Sequence, residues 1–219
     1  MKSAVLLLFI IITVLLSGCK SKSDKNSGIG VRKKYIAIQP LGVFDKQRIN
    51  FIREEITRFY TTPVIVLPAI GLPRSFISKQ KGERYCADSI LLLLKQFGND
   101  SIVEVVGLVH KDIYTTKKDR DGNIQKPVAK YAVWGIAGLG YLPGKECIIS
   151  DIRLKTKDST VFKHRLRTVV IHEIGHNLGL PHCNVRTCIM SDTNEKIATI
   201  DNSRNDYCNA CKMKLKRDF

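Results

Sequence analysis

Five residues between positions 172 and 182 have the types and spacing for metal-assisted hydrolysis. His172, Glu173, His176, Gly179 and His182 spell H-E-x-x-H-x-x-G-x-x-H. Positions four apart on a helix lie one turn above each other on the same face, so His172 and His176 can offer two imidazole nitrogens to one ion. Glu173 is turned about 100° from His172, which lets a carboxylate flank the metal without binding it. A straight helix cannot return a ligand ten residues on to the same ion. Gly179 supplies the stop, because glycine tolerates the left-handed conformation that ends helices. Pro181 prevents a restart, and His182 can fold back as third ligand. Three neutral imidazoles with an open fourth position suit a catalytic zinc, whose bound water has its pKa lowered towards ~7. Glu173 is then placed to take a proton from that water and deliver it to a leaving amine. The plain alternative is a buried helix whose histidines only make hydrogen bonds.

A second set follows directly: Cys183, Cys188, Met190, Cys208 and Cys211, written H-C-x4-C-x-M-x17-C-x2-C from His182. Across residues 172–211 the chain resembles the archaemetzincins, a metzincin-like family of zinc peptidases. The resemblance implies a catalytic zinc on His172, His176 and His182, with Met190 in a methionine turn beneath it. It also implies a structural zinc on Cys183, Cys188, Cys208 and Cys211, hence two zinc ions per chain. A four-cysteine site has no open position and would serve structure only. Two disulfides are the alternative, although Cys208 and Cys211 are spaced better for a metal knuckle than for an unstrained bridge.

The chain opens with Met1-Lys2 and a thirteen-residue apolar run from Ala4 to Leu16. That is short of the about 20 residues of a membrane span and fits the core of a signal peptide. Leu16-Ser17-Gly18-Cys19 resembles a lipobox, so residues 1–18 are expected to be removed and Cys19 lipidated. Residues 19–34, polar and basic, read as a flexible tether. The expected place is the bacterial cell envelope, on the extracytoplasmic side and attached to the membrane through the lipid. The net charge of +16 therefore reads as a basic surface among anionic envelope polymers, with no nucleic-acid partner and a monomeric chain. Of the seven cysteines, Cys86 and Cys147 remain, to pair or to stay as thiols.

The elements that must position this chemistry fall in residues 35–219, long enough for one domain with its own core. Strands are expected at 35–42, 64–73, 101–114, 131–141 and 146–155, and helices at 44–60 and 85–97. A further helix, capped by Ser159 or Thr160, runs to about Leu178. In it Phe162, Leu166, Val170, Ile174 and Leu178 form a row facing away from the histidines. The order indicates an α/β domain with a mixed sheet, and the resemblance implies the same: a metzincin-like sheet, an active-site helix and a C-terminal subdomain on the four cysteines. Asp119, Asp121 and Asn123 do not make a calcium loop, because its twelfth position is Lys130. His110 and His164 are expected at the surface or loosely packed. Gly135, Ile136 and Ala137, on the glycine-bearing strand before the metal helix, are expected to receive an extended peptide. The expected function is a membrane-tethered zinc metallopeptidase. The alternatives are a catalytically silent peptide-binding module and a zinc amidase of cell-wall peptides.

Overall fold

A computed structural model describes residues 33–192 and 196–215. The signal segment 1–18, Cys19 and all but the last two residues of the tether lie outside them. In chain order, β1 (Tyr35–Leu41) leads through α1 (Lys46–Tyr60) to β2 (Val64–Val66). Then come β3 (Ile77–Ser78), β4 (Arg84–Cys86), α2 (Ala87–Leu94), β5 (Ile102–Val109) and β6 (Ile113–Thr115). After α3 (Val128–Tyr131) follow β7 (Trp134–Ile136), β8 (Gly138–Gly140) and β9 (Glu146–Ser150). The chain ends in α4 (Ser159–Asn177), α5 (Ile197–Asp201) and α6 (Asn209–Leu215).

The main sheet has the order β2-β1-β5-β9-β8, parallel except for β8, which closes the edge antiparallel to β9. A smaller sheet has the order β3-β4-β6-β7. Alternation along the central strands divides the core in two. Ile36, Ile38, Val106, Leu108, Cys147 and Ile149 pack on the α1 and α4 side. Leu41, Val105, Val109 and Ile148 pack against Ile90, Leu91 and Leu94 of α2 on the other. Full burial of each such aliphatic side chain is worth about 1.5–3 kcal/mol, which makes the sheet a rigid base for α4.

The row expected on α4 lies in this core, with Leu166, Val170 and Ile174 buried and Phe162 and Leu178 packed against them. The cap is Asp158, not Ser159 or Thr160: its carboxylate accepts from the amides of Thr160 (2.8 Å) and Val161 (3.2 Å). A carboxylate there also meets the positive end of the helix dipole. Glu55 of α1, buried, forms an ion pair with Arg167 of α4 at 2.5 Å. Lower down, the hydroxyls of Tyr60 and Tyr207 lie 2.7 Å apart, and each is 3.2 Å from the carbonyl of Ile171. That carbonyl precedes the first histidine, so α1, α4 and the C-terminal segment meet just beneath the site.

Several expected strands are shorter. Residues 64–73 give only β2, a half-exposed edge and not a buried strand; the Pro68 carbonyl beyond it accepts from Gln39 at 2.8 Å. Tyr85 belongs to β4, and the helix begins at Ala87. The stretch 101–114 breaks at His110–Asp112 and feeds both sheets. Residues 131–141 likewise divide into β7 and β8, in different sheets, with Ala137 between them accepting from the Ser150 amide at 2.8 Å. The strand expected at 146–155 ends at Ser150, followed by a 3-10 turn at Ile152–Leu154. The two outlying histidines are held, not loose: His110 Nδ1 lies 2.7 Å from Asp151, and His164 lies 3.0 Å from the Ile200 carbonyl and 2.7 Å from Asn205.

Candidate active site

The last two turns of α4 carry His172 and His176, with ring centroids 4.6 Å apart. The helix ends where the sequence predicts. Gly179 has φ +89°, and the amides of Gly179 and Leu180 close the turn on the carbonyls of His176 and Gly175 at 2.9 Å each. This reversal returns His182, whose ring lies 5.4 Å from that of His172 and 4.8 Å from that of His176. One nitrogen from each of the three lies within 4.8 Å of the others.

Hydrogen bonds orient the rings. Nδ1 of His172 lies 2.7 Å from the Ile189 carbonyl, and Nδ1 of His176 lies 2.8 Å from that of Leu180. Since a carbonyl only accepts, each Nδ1 carries the proton, and each Nε2 presents a lone pair. Nδ1 of His182 stands 3.7 Å from the Asp192 carboxylate. Burial, then the neighbouring His176, push the His172 pKa down to about 3. Burial also lowers that of His176. Neutral imidazoles are the form that binds a metal.

Glu173 is buried beside them, outside the group of three donors. Burial pushes its carboxyl up to about 8, and a hydrogen bond from the Gly140 backbone pulls the other way. A dication at the histidines would favour the ionised form. The carboxyl rests on β8: a Cβ built at Gly138 would lie 2.6 Å from Glu173 Oε1, so the strand comes this close only as glycine. β7 and β8, each the last strand of its sheet, line a cleft of about 1080 Å³ together with the histidines and Glu173.

Met190 is fully buried under the helix; a Cβ at Gly175 would meet its sulfur at 2.5 Å. Its carbonyl accepts from the Cys183 amide at 2.7 Å, and the Ser191 amide turns back to the Cys188 carbonyl at 2.9 Å. The four cysteines gather beside this turn. Sγ of Cys183 and Cys208 are 3.7 Å apart, and those of Cys188 and Cys211 are 3.8 Å apart. Four thiolates at about 2.3 Å from one zinc form a tetrahedron with edges of about 3.8 Å. A disulfide needs about 2.05 Å. All six described cysteines are free, Cys86 and Cys147 included. The Cys208 amide donates to the Cys188 sulfur at 3.3 Å and the Val185 amide to the Cys183 sulfur at 3.4 Å, as a thiolate cluster requires. Both donor sets fit zinc, one open and one closed.

Sequence reasoning missed the carbonyls of Ile189 and Leu180, which have no side-chain signature. It also missed Asn177, which follows His176 and donates to the buried Glu104 at 2.5 Å. These partners are 73 positions apart, and nothing in the spacing links them.

The model of Peptidase family M54 matches residues 53–217. An archaemetzincin of Archaeoglobus fulgidus is 28% identical over 181 residues, covering 83% of this chain and 98% of that protein. One from Haloarcula marismortui is 33% identical over 190 residues, covering 83% and 99%. The crystal structure of the Methanopyrus kandleri archaemetzincin superposes with a TM-score of 0.69 at 23% identity, covering 86% of this chain and 97% of that one. That of the A. fulgidus protein with malonate gives 0.66 at 26% identity, covering 82% and 99%. The family match spans most of the chain and takes in both donor sets: the chain belongs to peptidase family M54 and is a zinc-dependent metallopeptidase.

Proposed function

We propose that this peptidase holds two zinc ions with separate duties and cleaves extended peptides with Glu173 as general base. His172, His176 and His182 hold the catalytic ion, which supplies a Lewis acid for the scissile carbonyl and an acidified water. Glu173 takes the proton of the attacking water on a carboxylate oxygen and passes it to the leaving amine. Cys183, Cys188, Cys208 and Cys211 hold the second ion, in a closed site that fixes the turn carrying Met190. The substrate lies along Trp134–Gly140, where Gly135, Ile136 and Ala137 belong to an open sheet edge and its continuation. Main-chain pairing with an edge strand gives affinity with little demand on side chains.

The observation that carries this reading is the place of Glu173: one residue from His172, buried against β8, and outside the three donors. A diverse peptide library tests it. Cleavage near neutral pH should stop on chelation and return with added zinc. No cleavage of any peptide by fully zinc-loaded protein would leave a silent binding module instead.

We place the catalytic unit, residues 35–219, behind the tether 19–34 on a lipid at Cys19, as a monomer on the extracytoplasmic side of the envelope. The support is the apolar run Ala4–Leu16 followed by Leu16-Ser17-Gly18-Cys19. Two acyl chains suffice for a stable anchor. Labelled palmitate should mark the chain, and Cys19→Ala should lose the label and leave the membrane fraction. A Cys19→Ala chain that stays membrane-bound rules the anchor out.

A further inference from the structure

Gly135 has a different neighbour from the one its place on an open strand leads one to expect. A Cβ at this position would lie 1.8 Å from Nη2 and 2.2 Å from Cζ of Arg153, so the guanidinium lies against the backbone of β7. Nε and Nη2 of Arg153 donate to the two oxygens of Asp112 at 2.7 and 2.9 Å. Arg84 donates from Nε to the same carboxylate at 2.9 Å and from Nη1 to the Val133 carbonyl at 3.0 Å. Both arginines line the cleft, with side chains 19% and 33% exposed for Arg84 and Arg153. Two guanidiniums share the one carboxylate of Asp112, so this group of three side chains carries a net positive charge.

Among the described residues the lining of the cleft is basic on balance. Six basic side chains line the cleft, against two acidic ones, Glu173 and Asp192. Adding Asp112 behind the arginines still leaves basic groups in a twofold excess. Lys117 and Lys130 extend the positive arm, over the Trp134 ring at 4.5 and 5.0 Å from its centroid. The excess lies close to the chemistry: Gly135 rests on Arg153 and Gly138 on Glu173. Three residues of chain span at most about 10 Å.

We propose that Arg84 and Arg153, pre-oriented by Asp112, form a subsite for a substrate carboxylate within about three residues of the scissile bond. The peptidase is thereby selective for peptides that place a carboxylate there. This rests on the cleft being the peptide site. Asp112 holds the Nε–Nη2 edge of Arg153, so a substrate carboxylate would meet the other side of that guanidinium; a planar cation fixed in this way suits a carboxylate better than a mobile lysine. The carboxylate is either that of an internal Asp or Glu or the free C-terminus of a short peptide.

Binding tests this apart from turnover. Zinc-loaded Glu173→Gln protein is titrated with three otherwise identical fluorescent peptides: one with Glu near the scissile position, one with Gln there, and the Gln peptide with an amidated C-terminus. A carboxylate preference of about tenfold or more is expected, the scale of a charge-assisted hydrogen bond. Tighter binding of the Glu peptide identifies the side chain as the source. Weakening on amidation identifies the C-terminus. Arg153→Gln should shrink the preference, Arg153→Lys should keep more of it, and Arg84→Gln with Arg153→Gln should bring the three affinities together. Equal binding of all three by the protein with both arginines overturns the proposal, as does a preference that persists when both are replaced. If peptides bind with the expected preference and the parent cleaves none, the peptidase reading fails while the subsite stands.

Discussion

The three histidines and the four cysteines are neighbours in sequence and space but are built on different principles. The histidine set is assembled from a rigid element. Two histidines sit one turn apart on α4, the third returns through Gly179, and backbone carbonyls aim the first two rings. It stays open to the cleft, and His182 keeps half of its side chain exposed. The cysteine set is assembled from a loop and the start of α6, with Cys188 and Cys211 buried and Cys188 alone of the four reaching the lining of the cleft. The two sets share a boundary of single residues. Cys183 follows His182, and Ile189, whose carbonyl orients His172, follows Cys188. Damage should therefore spread in one direction only, from the closed site to the open one.

The largest effect expected is at the closed site. Cys211→Ser should lose its zinc and lower the melting temperature by at least ~10 °C, since binding at a structural site is coupled to folding. Turnover should disappear with it, because the turn that holds His172 and His182 is released. His182→Ala should lose the other zinc and all turnover, yet melt within a few degrees of the parent. Elemental analysis and circular dichroism on the two variants check the asymmetry. Equal destabilisation, or a Cys211→Ser protein that keeps both zinc ions, removes the distinction.

A smaller effect sharpens the comparison from the sheet side. Burial pushes Glu104 up to about 8, against the hydrogen bond from Asn177 and with Cys147 and Glu146 as its other polar neighbours. Its ordinary value is 4.5. A carboxyl raised on folding gives stability that is full below 4.5 and is lost as pH rises through about 8. Glu104→Gln keeps the shape and cannot ionise, so its melting temperature should fall less than the parent's between pH 4.5 and 8. Parallel curves for the two proteins would show that Glu104 does not titrate there.

The grouping of the three histidines was largely legible in the sequence because two of them sit on one regular helix, where spacing maps onto direction, and because Gly179 marks the turn that returns the third. The core row of α4 followed from the same periodicity. The strands were less legible. Residues 101–114 are rich in valine and isoleucine, and their break at His110–Asp112 is held by distant partners: Asp151 for His110, and Arg84 and Arg153 for Asp112. The glycines of 131–141 were visible, but their reasons were not. Gly135 makes room for Arg153, and Gly138 for Glu173, contacts set by the tertiary fold.

In the proposed reaction Glu173 moves the proton while the histidines hold the metal. The most direct measurement is single-turnover cleavage of one good peptide by zinc-loaded Glu173→Gln protein beside the parent. The amide keeps the shape of the side chain, so zinc content and melting temperature should be unchanged. The rate should fall by about 10²- to 10⁴-fold, with a residue left by the metal's Lewis acidity. A variant that cleaves as fast as the parent at equal zinc content contradicts the assignment.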